Sequence, residues 1–373
     1  VITHPPPDAR GRDGIQLIST IKDLLLRLKD GPYVFYENKS TKAYTINGGD
    51  LVQQELSAGS TVVTATDRND KFQKVELQQK LSVPPVDYPR PEKLFVLSDI
   101  EGNFAAFRKL LQANRIIDEN FNWTFSDGHL VFAGDMFDRG EQVTECLWLI
   151  YSLEEKAKAS GGYVHFVLGN HEIMNLQGDD KYVKQKYKNN ATLLGKTIKE
   201  LYNDDSELGR WLRSKNIMEK IGDMLIIHGG ISGELNRLSL TISQINETAR
   251  PYYAEKKRDF ANKDLNTIMS KSNGPFWYRG YYYLNRSFAA TPKQVDSTLQ
   301  KFNVKHIITG HTIIADTIST HYNGKVINTD THHAEGKSEA LLIEGDHYYR
   351  VNQEGKRVLL FIDEKKKTSP SAQ

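Results

Sequence analysis

Five short stretches of this 373-residue chain carry side chains of metal-binding type, each directly after an apolar run. Ser98-Asp99-Ile100-Glu101-Gly102-Asn103 follows 94–97, and Gly134-Asp135-Met136-Phe137-Asp138-Arg139-Gly140 follows 130–133. Gly169-Asn170-His171-Glu172 follows 164–168, His228-Gly229-Gly230 follows 224–227, and Gly310-His311-Thr312 follows 305–308. The set offers carboxylates, one amide oxygen and imidazoles, with no thiolate, a mixture that suits manganese, iron or zinc better than calcium or a structural thiolate site. Two cations about 3.5–4 Å apart, bridged by a carboxylate and a hydroxide, stabilise both the entering and the leaving oxygen of an in-line phosphoryl displacement. Asp135 is placed to be that bridge.

Taken singly the pieces say little: His228 alone reads as a core histidine, Asp99 as a turn residue and Glu172 as a first-turn carboxylate favouring a helix N-terminus. Five in order, at the ends of five apolar runs, reverse that reading. Other schemes fail on spacing. Cys146, the only cysteine, has Ser152 six positions on where a cysteine phosphatase needs arginine. No Asp-x-Asp and no Gly-x-Ser-x-Gly occurs. His332 and His333 follow the run 325–328 and read more readily as a loop pair than as part of the mouth of the site.

The elements that must position these residues alternate in type. Runs at 94–97, 130–133 and 164–168 predict strands, and between them Phe104, Phe107, Leu110 and Leu111, then Val143, Leu147, Ile150 and Tyr151, predict helical faces. This βαβαβ succession favours parallel pairing, with ligands outside the carboxyl ends of the strands. Further strands are expected at 224–227, 305–308, 325–328, 340–343 and 347–351, with mostly helical insertions at 173–222 and 235–286. Ahead of them, an amphipathic helix at 15–29 and strands at 33–37, 43–46, 61–66 and 72–77 form an expected small α+β unit over 1–90. Val83-Pro84-Pro85-Val86-Asp87-Tyr88-Pro89-Arg90-Pro91 is stiff and short of amide donors, which places the boundary to a catalytic domain at 91–360; the lysine-rich 361–373 reads as a solvated tail.

Lys+Arg 49 against Asp+Glu 47 leaves a net charge of +2, which gives no electrostatic case for nucleic acid or an anionic membrane. No apolar stretch is long enough for a membrane helix. A single cysteine precludes an intrachain disulfide. The chain starts at Val1, which leans the expected location toward an exported bacterial protein, periplasmic or secreted, with the cytoplasm as the alternative.

The series from Asp99 to His311 resembles the calcineurin-like metallophosphoesterases, and within them the phosphoprotein-phosphatase branch with its bacterial and Shewanella-like members, over about residues 94–343. The resemblance implies a four-layer αββα sandwich and two divalent metal ions, manganese first, with iron, zinc or magnesium as alternatives. It implies that Asp99 and Asp135 hold the first metal, and that Asp135, Asn170, His228 and His311 hold the second. His171 would protonate the leaving oxygen, Asp138 would orient its ring, and Arg139 and, on a weaker match, Arg279 would grip phosphate. One departure stands out: Glu101 occupies the position where the family has a histidine ligand, giving either a harder, more anionic first site or a degraded one. The expected activity is metal-dependent phosphomonoester hydrolysis, with a phosphoprotein as first substrate and a small phosphoester also accepted. The alternatives are a nucleotide or dinucleoside-polyphosphate hydrolase and a non-catalytic binding module.

Overall fold

Short apolar runs separated by turn residues become strands throughout the structure, a computed structural model that describes residues 29–363 except 39, 58, 68–71 and 258. The helix expected at 15–29 lies outside the described residues save its last, Lys29, and so does all but the start of the tail. The described chain opens with β1 (Asp30–Glu37), β2 (Ser40–Asn47) and β3 (Asp50–Leu56), an antiparallel meander, and a hairpin of β4 (Thr61–Ala65) and β5 (Phe72–Glu76). After the proline-rich stretch, whose β6 (Asp87–Tyr88) adds to a sheet edge where missing amide donors are tolerated, the alternating region begins. It runs β7 (Lys93–Leu97), α1 (Phe104–Ala113), β8 (His129–Phe132), α2 (Val143–Ala159), β9 (Tyr163–Phe166) and α3 (Asn170–Leu176).

Hairpin strands β10 (Met218–Ile221) and β11 (Met224–Ile227) follow, then β12 (His306–Thr309), β13 (Ser319–His321), β14 (Val326–Asn328), β15 (Glu339–Glu344), β16 (His347–Asn352) and β17 (Arg357–Ile362). They form two six-stranded sheets, one ordered β17-β16-β15-β7-β8-β9 and the other β13-β14-β12-β11-β10-β6. β7, β8 and β9 pair in parallel, as do β11, β12 and β14, so two sets of strand ends point the same way within their sheets.

Side-chain alternation sets the layers. Leu94 and Val96 of β7 face the space between the sheets, with Val131, Leu341 and Ile343 beside them and Met224, Ile226, Ile308 and Ile327 opposite. Phe95 and Leu97 face the other way, into a second core with Phe104, Phe107, Leu110 and Leu147 of the covering helices. Strands buried on both faces read as unbroken apolar runs, which is why these were visible in the sequence. The four layers are helices, sheet, sheet, helices. Strands β3, β10, β13 and β17 were not foreseen; β3 is exposed at nearly every position, so no period-two pattern marks it.

The N-terminal strands lie against α2. Tyr33, Val34, Phe35, Val62 and Val75 join the same apolar cluster as Trp148 and Tyr151. Trp148 Nε1 donates to Pro32 O at 2.9 Å, and Gln78 N donates to the Tyr151 hydroxyl at 2.6 Å.

Candidate metal centre

Each expected ligand sits just beyond a strand end: Asp99 after β7, Asp135 after β8, Asn170 and His171 opening α3 after β9, His228 after β11 and His311 after β12. The chain turns sharply to present them. Asp99, Glu101, Asp135, Asp138, Arg139 and His311 all have φ between +49° and +71°, a left-handed conformation uncommon outside glycine and concentrated here. Close approach explains two glycines: a Cβ on Gly169 would lie 2.2 Å from Asp135 Oδ1, and one on Gly310 2.3 Å from Asp99 Oδ2.

Asp135 is the hub. Its Oδ2 lies 3.0 Å from His228 Nε2, its Oδ1 accepts a hydrogen bond from His171 N at 2.9 Å, and Asn170 Oδ1 is 3.2 Å from His228 Nε2. His228 Nδ1 is bonded to Ala133 O at 2.7 Å, which aims Nε2 at the cluster. His311 packs on His228 with ring centroids 4.9 Å apart, and its backbone N–H donates to Asp99 Oδ2 at 3.0 Å. Donor atoms of Asp135, His228 and His311 lie within 4.8 Å of one another, and so do those of Glu101, Asp135 and His171. All of these side chains are buried.

Electrostatics favour cations here. Burial, with the Asp135 charge adding to it and His228 opposing, lifts Asp99 to about 6. Burial and the charges of Asp99 and Asp135 lift Glu101 to about 8 against the pull of Arg139. Burial, helped by the nearby positive groups His228 and Arg279, holds His311 well below its usual range, leaving it neutral with a lone pair to give. Four buried carboxylates crowd this cluster beside a neutral His311, and such crowding favours bound positive charge, so the donor set fits a pair of divalent ions.

The flanking residues are held as tightly. His171 Nδ1 is 2.6 Å from Asp138 Oδ2, and despite burial the charge of Asp135 and the bond to Asp138 raise the imidazole to about 10. Arg139, half-exposed, is ion-paired to buried Glu101 and lies over the ring of Tyr182. Arg279 stacks on neither Trp277 nor Tyr278; its Nη1 donates to His311 O at 2.5 Å and to Thr312 Oγ1 at 3.0 Å, beside the cluster. His332 pairs with the exposed Asp316, and His333 is buried with its pKa displaced by burial alone.

Sequence reasoning gives no role to Asn175 or Asp330 and reads Glu172 only as a first-turn carboxylate. Glu172 accepts hydrogen bonds from the backbone N–H groups of Gly169, Asp135 and Met136 at 2.7, 2.8 and 2.6 Å, clamping the β8 loop to α3. Asn175, one turn beyond His171, donates to the second oxygen of Asp138 at 3.0 Å. Asp330, beyond β14, is buried near Asp99 and Glu101.

The profile of the calcineurin-like phosphoesterases matches residues 92–315. A solved structure of a cold-active protein-tyrosine phosphatase from a psychrophilic Shewanella species is similar at TM-score 0.82 and 37% identity, covering 89% of this chain and 99% of that one. Shewanella-like protein phosphatase 2 of Arabidopsis thaliana is 24% identical over 68% of this chain and 74% of its own. A symmetrical bis(5'-nucleosyl)-tetraphosphatase of Glaesserella parasuis is 30% identical over 44% of this chain and 54% of its own.

Proposed function

The chain belongs to the calcineurin-like phosphoesterase family and is a phosphatase of its dimetal-dependent kind, and from that premise we propose that it removes phosphate from phosphorylated proteins. We assign Asp99, Glu101 and Asp135 to a first cation, and Asp135, Asn170, His228 and His311 to a second. Manganese is the proposed metal, since a first site built of carboxylates favours hard ions. The chemistry such ions supply when bound is Lewis-acid polarisation of phosphoryl oxygens and acidification of water.

The protein's own groups supply the rest. We assign Arg139 to bind phosphoryl oxygens bidentately, which a planar, always-charged guanidinium does well. We assign Arg279, whose Nη1 is tied to the His311 loop, to the same task. His171 is the proposed general acid: Asp138 and Asn175 fix its ring, leaving Nε2, 3.9 Å from Asp135 Oδ2, free to give a proton to the departing oxygen.

The observation that carries the reading is the Asp138–His171 pair set against Asp135 beside the half-exposed Arg139. The protein-tyrosine phosphatase that shares nearly its full length with this chain supports a phosphoprotein substrate over a dinucleotide. After loading with Mn, turnover of phosphotyrosine and phosphoserine peptides is compared with that of a dinucleoside tetraphosphate. Faster peptide hydrolysis is expected; preference for the dinucleotide would replace the substrate assignment.

A further inference from the structure

Asp330 is 3% exposed, and its Oδ1 has no hydrogen-bond partner. A buried carboxylate oxygen without a partner is costly unless something absent from the protein's own atoms satisfies it.

Its position is fixed from three sides. β12 and β14 pair in parallel up to Thr309 opposite Asn328, so His311 and Asp330 each lie two residues beyond the same end of the ladder. Thr329 Oγ1 donates to Ser98 Oγ at 3.0 Å, and Asn103 Nδ2 donates to the carbonyls of His333 and Ala334 at 3.1 Å each. The segment bearing Asp330 is therefore stitched, before and after it, to the segment bearing Asp99 and Glu101.

We propose that Asp330 is a further metal-site carboxylate, an oxygen ligand of the first cation. This deepens the site assignment above and rests on it. In this chain the histidine expected at position 101 is a glutamate already engaged with Arg139, and Asp135 is shared, which leaves Asp99 as the one donor the first cation has to itself. Asp330 supplies that donor. The resulting shell, Asp99, Asp135, Glu101 and Asp330, is all oxygen, the set that hard ions such as manganese prefer.

The test uses the full chain. Asp330→Cys loaded with Co(II) should show a thiolate-to-cobalt charge-transfer band absent from the parent, whose one cysteine, Cys146, is buried in α2. Asp330→Asn should weaken binding of one of two Mn ions by at least about tenfold in calorimetry, with elemental analysis falling toward one ion per chain. No band in a Co-loaded Cys variant, or two Mn ions held by Asp330→Asn with unchanged affinity, overturns the inference. Asp135→Asn separates the two levels. If it loses metal while Asp330→Asn does not, the site stands and Asp330 is only a buried acid; if it too keeps both ions, the site assignment itself fails. Should the cysteine variant fail to fold, the asparagine calorimetry decides.

Discussion

Both oxygens of Asp138 are spoken for: Oδ2 lies 2.6 Å from His171 Nδ1, and Oδ1 accepts from Asn175 Nδ2 at 3.0 Å. With the backbone N–H of His171 bonded to Asp135, the ring has one free edge, and it faces the metal cluster. His171→Asn should therefore cost about 10²–10⁴ in kcat on phosphoserine peptides, whose alkoxide leaving group needs a proton, and far less on an aryl phosphate with an acidic leaving group. Parallel losses on both substrates, measured at saturating metal, would remove His171 from the acid role.

Glu172 is fully buried and satisfies three backbone donors. In Glu172→Gln one acceptor becomes an NH₂ group facing N–H donors. Each donor left unpaired costs roughly 1–3 kcal/mol, so urea unfolding should show a loss in that range or above, with metal content falling as the Asp135 loop loosens. A variant as stable and as metal-rich as the parent would show that the clamp is dispensable.

His333 gives a pH dependence. Burial lowers its pKa from 6.5 to about 4, so below 6.5 the unfolded chain takes the proton before the folded one. The stability present above pH 6.5 is lost as pH falls toward 4, by up to roughly 3 kcal/mol from this residue. Denaturation curves at pH 7 and pH 4.5 should differ less for His333→Met than for the parent; equal differences would mean that His333 takes its proton in the folded state as readily as in the unfolded.

A chain beginning at Pro91 keeps every residue assigned to the site but uncovers Trp148 and Tyr151, both 0% exposed here. Its melting temperature should drop by several degrees, at roughly 2–4 °C per kcal/mol for a domain of this size, while the folded fraction still hydrolyses an aryl phosphate. An unchanged melting curve would mean that the N-terminal strands contribute nothing to the stability of α2.

The sequence exposes the candidate metal centre because its residues follow strands apolar on both faces, and such strands are the easiest to see. β3 stayed hidden for the opposite reason: a strand with no buried face has no pattern. Glu172 and Asn175 act through backbone N–H groups and another side chain, and neither partner can be inferred before the loops are brought together. Asp330 carried a readable signal, an aspartate two residues beyond the run 325–328 much as His311 lies three beyond 305–308, but His332 and His333 draw the eye first. Of the two histidines, one pairs with Asp316 and the other is simply packed.

The alternation along β7 has one more consequence. Leu94 and Val96 fill one apolar layer, Phe95 and Leu97 the other, and Asp99 comes two residues later. Deleting a single residue inside this strand would exchange the two sets between layers and turn the carboxylate to the opposite side of the sheet. The two cores thus act together as a reading frame for the loop that carries Asp99, and a shift of one position within β7 would remove that carboxylate from the cluster as surely as replacing it.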